Sequence, residues 1–177
     1  MKTNQILQIL HVAAWIIFIG LCIQTGSILY SSFVSLFINP EAAKNLYDGL
    51  NLSAVLQYSQ LYYVYLLSFV IAIGIIKSLI FYYAIKIASK ANLENPFNIE
   101  ITNLLTTISQ LAFTVGILAI MTKSFGKWLL QHTAASHNVY EYVGNGGEFL
   151  LIAAILFLVA QVMRKGVDLQ QENSLTI

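Results

Sequence analysis

The chain has 177 residues, 58% of them hydrophobic and 10% charged, with a formal net charge of +1. A water-soluble domain carries about 25% charged residues, and a chain this small has too little interior to hide so much apolar side chain from water. Nine basic against eight acidic residues argue against recruitment to nucleic acid by charge, and the single cysteine, Cys22, excludes an intrachain disulfide or a thiolate metal cluster.

A bilayer core of about 30 Å takes about 20 apolar residues as a helix, and four stretches meet that demand. They are Leu7 to Tyr30, Tyr62 to Tyr83, Ile101 to Met121 and Gly144 to Met163. The expected fold is therefore all-α, an integral-membrane four-helix bundle forming one domain over residues 1–177, with a short tail at 164–177. None of the four carries the charged stripe of a helix in a soluble bundle.

The first apolar run, from Ile6, outlasts the core of a secretory leader and lacks a small-x-small cleavage pattern, so it reads as a span. Gln8 and His11 share a face with Trp15 there, and Cys22 reads as a small buried hydrophobe. In the following loop, Asn39, Pro40 and Glu41 form a turn leading into a short helix at Ala42 to Leu46.

The second span has Tyr58, Tyr62, Tyr63 and Tyr65 at one end and Tyr82 and Tyr83 at the other, the two interfaces where tyrosine prefers to sit. Tyr62 and Tyr83 are about 31 Å apart along a helix, one hydrocarbon thickness. Lys77 lies inside that span, where a lysine costs at least about 2.5 kcal/mol unless it is paired or reaches the surface. Helical side chains lean toward the N-terminus, away from the nearer boundary, so snorkelling is poorly aimed. The competing reading is an intramembrane polar cluster of Lys77 with His11, Thr106, Gln110 and Gln161.

Before the third span, Asn95, Pro96, Phe97 and Asn98 suit a helix cap and first turn, with Glu100 complementing the helix start. On that span Asn103, Thr106, Thr107, Gln110 and Thr114 recur at helical spacing. Beyond it, Lys127, Trp128, Leu129 and Leu130 read as an interfacial anchor. His132 and His137 are five apart rather than four, so they read as loop histidines rather than a zinc helix, and no metal or cofactor is expected. Gly144, Asn145, Gly146 and Gly147 form a turn, and Glu148 falls in the first turn of the last span, near the outer interface, where the dipole favours a carboxylate. Its sharper alternative is an external-face site, for ion binding, gating or pairing with Lys123 or Lys127.

Lys2, Lys86, Lys90, Arg164 and Lys165 collect on one side of the spans against Lys44, Lys123 and Lys127 on the other, which places both termini in the cytoplasm. No nucleophile, base and acid fall at a common depth, so an enzyme is not expected. The tail extends the last helix, with Gly166 as a weak point, and Asp168, Glu172, Asn173, Leu175, Thr176 and Ile177 are its candidate docking residues for a soluble partner.

The ending Arg164 through Glu172, Asn173, Leu175, Thr176 and Ile177, the segment Lys77 to Asn98, and Glu148, Phe149 and Gln161 together resemble the bacterial family called domain of unknown function 2975. The similarity covers nearly the whole chain. Asn98 stands where the family has Ser or Thr, and Ser174 where it often has an acidic residue, changes that still allow capping and hydrogen bonding. The resemblance implies a multi-pass protein of the bacterial inner membrane with no assigned activity. It also implies, by gene neighbourhood, a small helix-turn-helix DNA-binding regulator as the cytoplasmic partner. Two functions compete: a non-enzymatic regulator, sensor or scaffold acting through the inner face, and a small oligomeric transporter or channel using Lys77, His11, Gln110 and Glu148 as a polar path.

Overall fold

The structure is a computed structural model that describes residues 3–90, 98–133 and 142–174. Four helices in it are long and apolar enough to cross a membrane. They are α1 (Thr3–Phe37), α3 (Gln60–Lys90), α4 (Ile99–His132) and α5 (Gly146–Ser174); a 3₁₀ turn (Pro40–Lys44) and the short α2 (Ser53–Tyr58) fill the link from α1 to α3. The helices are unbroken because the two prolines, Pro40 and Pro96, fall between them, and because in lipid every backbone group must find its partner within the segment.

Successive long helices pack antiparallel: α1 on α3, α3 on α4, and most extensively α4 on α5. The packing depends on small residues. A Cβ added to Gly74 of α3 would lie 2.5 Å from Thr25 Oγ1 of α1, and one on Gly146 would lie 2.6 Å from the carbonyl oxygen of Gly116. Such close approach gives α4 and α5 backbone contact in place of side-chain contact, the usual way helices associate where no hydrophobic drive exists between them. Across the same pair, Ser109 Oγ donates to the carbonyl of Ala153 at 3.0 Å.

The helices are longer than the expected spans. α4 runs to His132 rather than ending near Met121, since Lys123 and Lys127 are good helix formers and nothing in that stretch breaks the ladder. α5 likewise passes through Gly166 without a break.

The link between α1 and α3 is a compact cap. Asn39 accepts from Glu41 N at 3.0 Å at the start of the 3₁₀ turn, which occupies residues 40–44 in place of the expected helix at 42–46. Asp48 and Gly49 turn the chain with φ of 41° and 85°. Leu46, Leu50, Leu52 and Val55 are then at most 1% exposed, packed with Tyr63 and Leu66 of α3 into the same core.

Two expected placements differ. Tyr63 is fully buried and bonded to Ser35 across the helix pair at 2.6 Å, so the tyrosine belt at that end consists of Tyr58, Tyr62 and Tyr65. Cys22 is exposed rather than buried, because it lies on the wall of an open groove between α1 and α3. Asn98 caps α4, accepting from Glu100 N at 2.7 Å; Asn95, Pro96 and Phe97 lie outside the described residues.

Candidate functional site: Lys77 and the break before the last helix

The start of α5 is deep. Gly146 rests on Gly116, seven residues before Lys123 on α4, which puts the first turn of α5 about 10 Å closer to the middle of the molecule than Lys123. Gly144 and Asn145, which part the helical Tyr142 and Val143 from α5, are therefore a break in the helix at membrane depth, an arrangement tolerated only where protein supplies the missing hydrogen bonds. Lys77 supplies them.

Its Nζ donates to the carbonyl oxygens of Tyr142 at 3.1 Å and Val143 at 3.0 Å. The same ammonium lies 5.2 Å from the centroid of the Phe149 ring. Gly144 follows with φ of 82°, a left-handed turn that a side chain would strain, and Val143 is 1% exposed. Asn145 closes the turn: its Oδ1 accepts from Gly147 N at 3.2 Å, and its Nδ2 donates to Glu148 at 3.0 Å. On the other side of the break, the Tyr142 hydroxyl is 2.7 Å from both the Tyr47 and the Asp48 carbonyl oxygens, which ties the segment to the cap. A narrow cleft beside the ammonium is lined by Gln24, Thr25 and Gly74 as well as Tyr142.

Chemically, the site is a cation held by two carbonyl dipoles and an aromatic face, with no carboxylate bonded to it among the described residues. It can hold the entry to α5 against α3. The carbonyls are occupied by the ammonium, so they are not free to coordinate another cation.

Lys77 turns inward, but the proposed cluster around it is not assembled. His11 accepts from Trp15 Nε1 at 2.9 Å along α1. Thr106 donates to the Thr102 carbonyl of its own helix at 2.9 Å, and Thr107 and Thr114 bond back in the same way. Gln110 and Gln161 are exposed on α4 and α5. The reason is local: a hydroxyl in a helix finds its carbonyl four residues back more cheaply than a partner on another helix.

Glu148 is exposed and engaged with Asn145, in the first turn as the dipole favours, and does not pair with Lys123 or Lys127. Its level on α5 is well short of Lys123 rather than at the outer end. His132 contacts the Trp128 carbonyl at 2.9 Å through Nδ1, and its ring lies against Trp128; His137 is outside the described residues. In the tail, Asp168, Leu169 and Glu172 are exposed on a continuing helix that also includes Asn173, Val167 is buried, and Leu175, Thr176 and Ile177 are outside the described residues.

The residues that sequence reasoning missed are Tyr142 and Val143, which meet Lys77 through backbone carbonyls, a contact that leaves no side-chain signature.

Residues 36–177 match the family model described as "Protein of unknown function (DUF2975)". No curated protein matches, and no solved structure matches.

Proposed function

The chain belongs to this family of proteins of unknown function, and we propose that it is a non-enzymatic regulator or scaffold of the bacterial inner membrane that docks a small DNA-binding protein on the end of α5. The observation that carries the reading is the length of that helix. Arg164 bonds to Asn103, in the second turn of α4, at 3.2 Å, and α5 then continues unbroken to Ser174, about 15 Å farther. Among the described residues α5 outruns α4, which begins four residues before Asn103, and so offers a face to a partner groove; the exposed Asp168, Leu169 and Glu172 give that face both charge and an apolar anchor.

Orientation supports it. Lys86, Lys90, Arg164 and Lys165 gather at the end where α5 projects, and Lys44, Lys123 and Lys127 at the opposite end, so the excess of basic residues favours the projecting end as cytoplasmic. The test is a pull-down with the full chain and with a chain ending at Gly166. A DNA-binding protein recovered only with the full chain is the expected result; equal recovery from both overturns the docking role.

Transport is the less favoured reading, because its four residues do not share a route. His11 is bonded to Trp15 along α1, Gln110 is exposed on α4, and Lys77 is engaged by carbonyls. A path through them would require a second copy. Solute or ion flux in vesicles that is lost in Lys77→Met would reverse the preference.

A further inference from the structure

We propose that the groove between α1 and α3 holds one acyl chain of an anionic phospholipid, with Lys86 receiving the phosphate. The groove has room for about 450 Å³ and is walled by Phe18, Cys22 and Gly26 on α1 and by Ile75, Leu79 and Tyr82 on α3. Ser78 also faces it, but its hydroxyl is bonded to the Gly74 carbonyl at 2.9 Å, so the wall is apolar in effect. Along α1 the lining runs from Phe18 to Leu29, about 16 Å, which is the depth of one leaflet of a hydrocarbon core about 30 Å thick.

One end of the groove is built for a headgroup. Lys86 is one turn beyond Tyr82 on the same face of α3, and its Nζ lies 4.6 Å from the Tyr82 ring centroid and 5.5 Å from that of Tyr83. Among the described residues no carboxylate pairs with it; the ion pairs found are Glu41 with Lys44 and Lys90 with Glu100. On α1, Trp15 packs edge-on against Phe18 at 5.8 Å, one turn toward the same end, and is itself bonded to His11. Tryptophan, tyrosine and lysine at one level mark the headgroup zone. A helix of a second copy or a neutral lipid could fill the apolar part, but either would leave the Lys86 ammonium with ring faces and no anion, whereas a phosphate supplies one.

Native mass spectrometry of the full chain in mild detergent, titrated with phosphatidylglycerol or phosphatidylcholine of the same acyl chains, tests this. The first phosphatidylglycerol should bind about fivefold more tightly, the increment one basic residue adds at an anionic surface. Lys86→Gln should bring that ratio close to one. Gly26→Leu should weaken both lipids while leaving the fold intact, since a Cβ at Gly26 meets no atom within 4 Å. Cys22, the only thiol, reports the location independently of either variant: bound phosphatidylglycerol should slow its reaction with a maleimide. Equal affinity for the two lipids, labelling of Cys22 that ignores phosphatidylglycerol, or Cys22 shielded by dimerisation without lipid would each overturn the proposal.

Discussion

Lys77 Nζ stands 3.0 Å from the carbonyl oxygen of Val143, 66 positions further along the chain, and this contact joins α3 to the entry of the last helix. The ammonium and the two carbonyls would each be costly alone at that depth, so each is the reason the other is tolerated. Lys77→Met should therefore lose about 1.5 to 3 kcal/mol, the range for hydrogen bonds to a charged group, in reversible unfolding from mixed micelles. Amide exchange should rise in the first turn of α5. A lysine that merely snorkels would give no loss, because methionine suits lipid better.

Besides its packing on α3, the cap is tied to the entry of α5 by the Tyr142 side chain. The Tyr142 hydroxyl shares its proton between the carbonyls of Tyr47 and Asp48, both at 2.7 Å. Tyr142→Phe should cost about 1 kcal/mol and leave the helices in place. Exchange of the Leu46 and Leu50 amides, which hold the turn through Leu50 O and Tyr47 O, should accelerate more than that of any α4 amide. Uniform acceleration along the chain would mean that Tyr142 supports the whole molecule rather than the cap.

The helices were legible because lipid leaves the backbone no alternative: a run such as Leu66 to Phe81, interrupted only by polar Ser68, Lys77 and Ser78, has to be helical. Caps were legible in part, since Asn39 and Asn98 act through side chains with a known preference. Lys77 stood out by its cost, but its partners are main-chain atoms that any residue could have supplied. Depth was also illegible. The apolar pattern of α5 gives the length of its apolar run, whereas its level follows from Gly116 meeting Gly146, a pairing that no spacing announces.

That pairing makes the glycines of this chain unequal. A Cβ at Gly146 would lie 2.6 Å from Gly116 O and 2.6 Å from Ile120 Cγ1, so Gly146→Ala must push α5 off α4 and should cost about 1 to 3 kcal/mol. At Gly20 no atom lies within 4 Å of the added carbon, and Gly20→Ala should stabilise by up to about 1 kcal/mol through helix propensity. The two variants, compared by thermal unfolding in one detergent, should move in opposite directions. If Gly146→Ala is neutral, the close crossing of α4 and α5 is wrong.

Gln110 provides the counterpart to Lys77. It is exposed on α4, about 15 Å along the helix from Glu100 and about 20 Å from Lys123, too far for its short side chain to reach either end. Its carbonyl on the main chain accepts from Thr114 Oγ1 at 2.9 Å, a bond that substitution leaves untouched. An unbonded amide in hydrocarbon is a cost without return, so Gln110→Leu should be neutral or stabilising by about 1 kcal/mol in the unfolding assay used for Lys77→Met. The opposite signs at two polar mid-span positions would follow from one rule: a polar group in lipid stabilises only if it has a partner. A loss at Gln110 would mean that its amide bonds to something beyond the single chain, and a shift from dimer to monomer in the variant would identify that partner as a second copy.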